Sequence, residues 1–293
     1  MVKRFWNLIF GWQKFGIRKD EFVLDVGSGD NPCFRADIIC DRYPVDSSQR
    51  SGQMKVQIYP HQKMVIGNIQ SLPFKDKSFD FVICRHLLEH LENPGRSMEE
   101  LMRVGRRGYI ETPSALMEML YGWYFHKWLV RFNAGKIIFA KKDKNQAYGI
   151  LPNEIKKDKS FEELVHDNPD VFLVRCQWEG KINYQIKSSE EASDKFPMTN
   201  FYFASKSESR SVSTSRGWLK NFILKLARIS WATHRIDLLD ILACPVCKDK
   251  VGLRQESNRF VCSKCQRSYR IWNGIPILLP EKPLIKDPYY KDG

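Results

Sequence analysis

The run Phe22-Val23-Leu24-Asp25-Val26 stops at Gly27-Ser28-Gly29. Four apolar residues around one acid, then two glycines one residue apart, describe a buried strand that ends in a tight turn where backbone passes close to a ligand. A Gly-x-Gly pair alone admits any nucleotide-like ligand. The residues that follow narrow the choice. Asp41 closes a second apolar run, Ala36-Asp37-Ile38-Ile39-Cys40; Met64-Val65-Ile66 ends at Gly67-Asn68; Phe79-Asp80-Phe81-Val82-Ile83-Cys84 runs into Arg85-His86. A parallel crossover takes about a dozen residues. Gly27 to Arg35 barely supplies them, so the first helix is expected to be a single turn.

Apolar runs that alternate with crossovers indicate a parallel α/β sheet, in which ligands sit beyond the carboxyl ends of the strands. Further along, 94–105 reads as a helix with Pro94 at its start and Met98, Leu101, Met102 and Val104 as its apolar positions. Gly108 to Glu111 reads as a fifth strand stopped by Pro113. Residues 114–132 are rich in aromatics and are expected to be helical; 135–170 is lysine-rich and aperiodic, an expected mobile insertion. Val171 to Trp178 is expected to turn at Glu179-Gly180 and pair with Lys181 to Ile186 as a β-hairpin, with Phe201-Tyr202-Phe203 as a further edge. Residues 1–18 carry Phe5, Trp6, Ile9, Phe10 and Trp12, which suits a short helix packing an aromatic face.

Near the C-terminus stands an independent feature: Cys244-Pro245-Val246-Cys247 and Cys262-Ser263-Lys264-Cys265, fourteen residues apart. Two Cys-x-x-Cys pairs supply a closed tetrahedral four-thiolate site, which is structural and most often holds zinc. A rubredoxin-type iron site has the same ligand count but usually has glycine after each second cysteine; Lys248 and Gln266 stand there instead. A module of about 50 residues has too little core to be stable alone, so its metal contributes folding energy. Cys33, Cys40, Cys84 and Cys176 are scattered, a usage that suits a reducing compartment.

With 293 residues, one large domain and one small one are expected: 1–204, a basic linker at 205–235, and 236–285. The linker combines serine-rich Ser205 to Ser215 with an amphipathic helix, Trp218 to Trp231. Lys and Arg total 47 against 34 Asp and Glu, a net charge of +13, which favours anionic partners such as RNA or a membrane surface. The excess concentrates in 136–159, with seven lysines, and 206–235, with seven Lys or Arg against Glu208. The apolar run Phe5 to Phe10 is too short for a secretory leader. The expected location is the cytoplasm, with peripheral membrane contact as an alternative. No second chain is required.

Taken together, Val23-Leu24-Asp25-Val26-Gly27-Ser28-Gly29, Asp41, Gly67-Asn68…Leu72-Pro73-Phe74 and Phe79 through His90 resemble the class I S-adenosylmethionine-dependent methyltransferases, and within them the broad type 11 group. The resemblance covers about residues 20–115 by motif and 116–203 by architecture. It implies a Rossmann-like, mostly parallel sheet with an antiparallel C-terminal hairpin, and S-adenosyl-L-methionine as cofactor. Gly27, Ser28 and Gly29 would receive the cofactor's amino-acid end, with Asp25 fixing the loop. Asp41 would accept both ribose hydroxyls, Asn68 and Ile69 would read the adenine, and Arg85 would complete the site. Most relatives have aspartate at the position of Asn68; an amide there is expected to alter binding without abolishing it. A nicotinamide dehydrogenase would want Gly-x-Gly-x-x-Gly, whereas Asp30-Asn31-Pro32 follows Gly29.

His86-Leu87-Leu88-Glu89-His90 also fits a His-x-x-Glu-His zinc pattern, but its place after a methyltransferase-like strand explains it without metal. His86 is expected to face cofactor or substrate, and Glu89 and His90 to pack the next turn. Residues 236–281 are similar to the small zinc-ribbon methyltransferase activators, including the lead-in Leu238-Leu239-Asp240-Ile241-Leu242 and the strand after Asn273-Gly274. That resemblance implies a built-in partner docked on the methyltransferase, with Cys244, Cys247, Cys262 and Cys265 as zinc ligands. A stand-alone nucleic-acid zinc ribbon is the competing reading. His86 and His126 are the candidate general bases. No Asn/Asp-Pro-Pro-Tyr signature follows the fourth strand, which favours an oxygen acceptor on a small molecule, sugar or lipid-linked compound over tRNA or protein. A degenerate methyltransferase fold acting as a scaffold is the non-enzymatic alternative.

Overall fold

The computed structural model describes residues 15–43, 56–143, 147–187, 237–248 and 253–280. The edge at 201–203, the serine-rich linker, the 218–231 helix and all but the last residues of the expected N-terminal helix lie outside the described residues. The strands are β1 (Val23–Val26), β2 (Ile38–Asp41), β3 (Lys63–Gly67), β4 (Phe79–Arg85), β5 (Gly105–Pro113), β6 (Trp128–Asn133), β7 (Lys136–Lys141), β8 (Leu173–Glu179), β9 (Tyr184–Lys187), β10 (Leu253–Glu256), β11 (Arg259–Cys262), β12 (Ser268–Trp272) and β13 (Ile275–Leu278). The α-helices are α1 (Pro94–Val104), α2 (Ala115–Tyr121), α3 (Asn153–Lys156), α4 (Lys159–Asp167), α5 (Pro169–Phe172) and α6 (Leu238–Ile241).

The chain forms two compact units. The first lies within residues 1–83, 99–108 and 212–293, the second within 84–98 and 109–211. In the first, the strand order is β10-β11-β12-β13-β3-β2-β1-β4. β1, β2, β3 and β13 pair in parallel, whereas β10 to β13 form an antiparallel meander. β1 and β2 are buried at every position. That is why they read as near-continuous apolar runs: a parallel strand is covered on both faces. The C-terminal meander enters this sheet through β13, where Ile277 faces Ile66 and Leu278 faces Gly67 across the ladder. Met64, Ile66, Ile277 and Leu279 make one buried cluster with Val56, Trp272 and Ile275 against it. The antiparallel strands of the ribbon thus extend the parallel sheet, and the ribbon and β3 share one core.

The second unit contains a three-stranded sheet, β6-β7-β9, and β8 is hydrogen-bonded to β5, a strand that passes through both units. Four sequence expectations change here. No helix forms between β1 and β2; turns fill 27–37, tied by Asp25 to the Cys33 backbone. The aromatic segment is helical only to Tyr121, because Gly122 adopts φ +65° and ends the helix. Trp128–Asn133 is instead a strand, and Ala134-Gly135, both at positive φ, turn it into β7. The 135–170 region is largely ordered as β7 and helices α3 to α5. Finally, β8 and β9 do not pair as a hairpin. β9 crosses to lie parallel to β7, with Ile137 opposite Tyr184. The short spacer Lys181 to Asn183 lets Ile182 bury and Asn183 accept from the Ile137 N–H.

Candidate active site and cysteine centre

Parallel register places the candidate residues of the first unit side by side. Val26 lies opposite Cys40, and Cys40 opposite Val65, so the ends of β1, β2 and β3 align. Gly27 and Gly29 take φ +65° and +57°, the left-handed region where a side chain is disfavoured. The Gly27 N–H donates to the Cys40 carbonyl (2.8 Å), and the Gly29 carbonyl accepts from Gln57 (3.0 Å). Asp25 is fully buried, and its Oδ2 accepts from the Cys33 N–H at 2.7 Å. That bond ties the end of β1 to the turns that follow it. Asp41, at the end of β2, has Oδ1 accepting from Tyr43 N–H (2.8 Å). Asn68 and Ile69 are buried directly after β3; Asn68 Oδ1 accepts from Gln70 N–H (2.9 Å), which orients the amide. Gly67 has no room for a side chain, since a Cβ there would lie 2.9 Å from both Cys40 Sγ and Pro73 Cδ. Ser28 Oγ, between the two glycines, is buried with no hydrogen-bond partner among the described residues. A buried hydroxyl of this kind in a glycine turn suits a polar ligand that completes its bonding. The residues present fit the cofactor.

In the second unit, β4 ends at Arg85 and His86 follows at φ +50°, an uncommon conformation for a residue with a side chain. Its N–H donates to the Glu111 carbonyl (2.8 Å). Its half-exposed ring places Nε2 3.3 Å from Glu111 Oε1 and Nδ1 3.8 Å from Glu89 Oε1. Desolvation opposes protonation of His86, but the Glu111 hydrogen bond and the charges of Glu89 and Glu111 outweigh it and raise its pKa. Burial pushes Glu111 up, yet hydrogen bonds from His86 and Tyr109 hold it down at about 2. The Tyr109 hydroxyl donates to Glu111 Oε2 at 2.5 Å.

His126 is set differently. It is buried, with Nδ1 2.6 Å from Glu118 Oε2, while Lys142 Nζ holds Glu118 Oε1 at 2.7 Å. Its ring meets that of His90 edge-on, centroids 4.6 Å apart. Burial, followed by the charges of His126 and His86, lowers His90 to about 3. The two histidines named from sequence therefore belong to one network through Glu89 and His90. His86 is open to solvent and His126 is locked. Glu111, Glu118, Tyr109 and Lys142 were not legible as parts of this network. Glu89 and His90 were, through the His-x-x-Glu-His spacing.

Cys244, Cys247, Cys262 and Cys265 converge, their sulfurs all within 4.8 Å of one another. Cys244 and Cys265 sulfurs are 3.6 Å apart, and those of Cys247 and Cys262 are 3.5 Å apart. Four sulfurs at about 2.3 Å from a tetrahedral zinc would be roughly 3.8 Å apart, so the set fits such an ion. Burial pushes the Cys244 thiol up, but the backbone N–H groups of Cys247 and Val246 and the Tyr269 hydroxyl bring it to about 7. A thiol so poised is readily the thiolate a metal needs. Each pair closes a knuckle: Lys248 N–H donates to Cys244 O and Gln266 N–H to Cys262 O, both at 3.0 Å. Lys248 and Gln266 have φ +54° and +58°, so they do stand at positions that favour glycine.

Lys248 has a reason to be there. Its Nζ donates to Leu72 O and to Glu100 Oε2, both at 2.8 Å. Beside it, Ser71 Oγ donates to Pro245 O (2.5 Å), Lys75 N–H to Ile241 O (2.8 Å) and Ala243 N–H to Pro73 O (3.0 Å). The segment after Asn68 is thus stitched to the cysteine module by backbone and side chain, in addition to the β13–β3 ladder.

Comparison with known proteins finds two separate matches. Residues 24–110 match the model described as a methyltransferase domain, and 235–274 the model described as Trm112p-like protein. A UPF0434 protein of Coxiella burnetii is 43% identical over 51 residues, which are 17% of this chain and 91% of that protein. One from Shewanella piezotolerans is 47% identical over 45 residues, 15% and 79% of the two chains. A solved complex of the Haloferax volcanii Trm112 methyltransferase activator with a methyltransferase is 14% identical, covers 63% of this chain and 93% of its own, and has a TM-score of 0.37. Residues 24–110 thus match a methyltransferase domain, and the C-terminal module belongs with the UPF0434 and Trm112p-like proteins: the chain is an S-adenosylmethionine-dependent methyltransferase carrying an activator-like module in the same polypeptide.

Proposed function

We propose that this chain methylates an oxygen atom on a small-molecule, sugar or lipid-linked acceptor, and that the ribbon, closed by a structural zinc on Cys244, Cys247, Cys262 and Cys265, stabilises the cofactor-binding strands. When bound, S-adenosylmethionine supplies a methyl group activated on a sulfonium. The chain's residues do the rest. Gly27 and Gly29 let the backbone approach the amino-acid end, Asp41 accepts the ribose hydroxyls, and Asn68 and Ile69 border the adenine. The observation that carries the oxygen reading is His86. It stands where amine-methylating relatives carry their Asn/Asp-Pro-Pro-Tyr signature, and Glu111 holds it with a raised pKa. An imidazole backed by a carboxylate can take a hydroxyl proton and keep the resulting charge. His126, buried against Glu118, is better suited to positioning than to exchange with an acceptor. The support for the ribbon's role is the ladder Ile277–Ile66 and the Lys248–Glu100 pair.

The test has two parts. Calorimetry is expected to show S-adenosylmethionine binding that Asp41→Ala weakens at least tenfold, since one charged hydrogen-bonding group contributes on the order of 1.5–3 kcal/mol. No binding by the unaltered chain would leave the scaffold reading. Incubation with methyl-labelled cofactor and fractionated lysate is expected to label the small-molecule or lipid fraction. Label confined to RNA or to protein would replace the oxygen reading with a tRNA or protein acceptor.

A further inference from the structure

We propose that Glu89, His90 and His126 form a second metal site, which takes a divalent transition ion of the zinc class and leaves one coordination position open to an oxygen ligand. One ligand atom from each of the three lies within 4.8 Å of the others. Glu89 is 1% exposed, and neither carboxylate oxygen has a hydrogen-bond partner among the described residues. The imidazole nitrogens nearest Glu89 Oε1, His86 Nδ1 at 3.8 Å and His90 Nε2 at 4.0 Å, are beyond hydrogen-bond reach. His90 Nδ1 is likewise buried without a partner among the described residues. A buried carboxylate beside a buried imidazole nitrogen, neither bonded, is costly unless something else satisfies both. A cation does so at once.

The surroundings are built for it. Glu118 holds His126 Nδ1 at 2.6 Å and is itself held by Lys142, which leaves Nε2 as the available ligand nitrogen. A carboxylate on the far nitrogen of a histidine fixes the ring and raises its basicity, the usual support of a metal-bound imidazole. Phe125 stacks on His90 with centroids 5.4 Å apart and an 11° tilt, so that ring is restrained as well. Two imidazoles and one carboxylate are a donor set that zinc and similar ions accept with a position to spare. The set shares no residue with the four-cysteine centre and has no thiolate, so the two sites are spectroscopically separable. The proposal does not depend on the acceptor, because metal content is measured with no acceptor present.

The experiment is expression of the full-length chain in cobalt-supplemented medium, so that both sites fill as the chain folds, with the bound metal counted by mass spectrometry. Two equivalents are expected: one with intense thiolate-to-cobalt charge-transfer absorption, and one with only the weaker visible bands of nitrogen and oxygen ligation. Glu89→Gln and His126→Ala are each expected to remove the second equivalent and keep the first. Glu118→Gln, outside the ligand set, should weaken the second by about 10–100-fold. His166→Ala, exposed on α4, should leave both. A count of one equivalent bearing thiolate bands overturns the proposal, as does a second equivalent that survives in Glu89→Gln. If a variant fails to fold, the count and spectrum of the unaltered chain decide alone: without a nitrogen- and oxygen-ligated equivalent, the three residues are a packed cluster and nothing more.

Discussion

At the scale of single residues, Lys248 and Gln266 form a natural contrast. Both follow the second cysteine of a knuckle, and both sit at positive φ, where a side chain costs about 1–2 kcal/mol relative to glycine. Among the described residues the Gln266 side chain makes only an exposed bond to Ser263 O, whereas that of Lys248 reaches Leu72 O and the buried Glu100. Gln266→Gly is therefore expected to leave stability unchanged or raise it by up to about 1 kcal/mol. Lys248→Met keeps the side-chain length and removes the bonds, and should cost about 1–2 kcal/mol. Urea unfolding followed by circular dichroism separates them; equal effects of the two would mean that Lys248 is retained for something other than its bonds across to Glu100. The left-handed positions were legible as glycine-like sites. That one of them served as an anchor was not, because its partners lie 148 and 176 residues away in sequence.

At the scale of elements, α1 and the cysteine module are linked through Glu100. Burial alone raises this carboxyl, but hydrogen bonds from Arg103 and Lys248 outweigh it and hold the pKa below the usual range. A carboxylate depressed in the folded chain contributes stability that is present above its unfolded pKa, about 4.3, and is lost as pH falls through the folded value. The β13 amides are thus expected to exchange hydrogen faster relative to those of β1 below about pH 4, and Glu100→Gln should flatten that dependence. An unchanged ratio down to acid denaturation would show that Glu100 does not hold the module. Element prediction worked best where the period was dictated by burial on both faces, as in β1, β2 and β4. It failed for 114–132 and for the β8–β9 pair, since a strand's partner depends on which edge is free, and nothing local to Tyr184 says that β7 is.

For the whole molecule, β3 has a neighbour on one side from the methyltransferase sheet and on the other from the ribbon. Removing the ribbon would open the β3 edge and uncover Met64 and Ile66, an exposed apolar edge of the kind that promotes aggregation. A chain truncated after residue 235 is therefore expected to be largely insoluble, and to be recovered in soluble form when 236–293 is supplied as a separate chain. Soluble, monodisperse truncated protein on gel filtration would show that the ribbon is dispensable to the sheet. Among the described residues no helix is long and apolar enough to cross a membrane. The amino-acid sequence by itself determined the glycine turn, the acid at the end of β2, the parallel character of the first strands and the four metal-ready cysteines, because these rest on local chemistry and fixed short distances. Only the tertiary structure decided that the ribbon shares a core with β3, and that Glu89, His90, His126 and Glu118 meet. Those outcomes come from long-range pairing and burial, and burial is what turns unremarkable polar residues into groups that need partners.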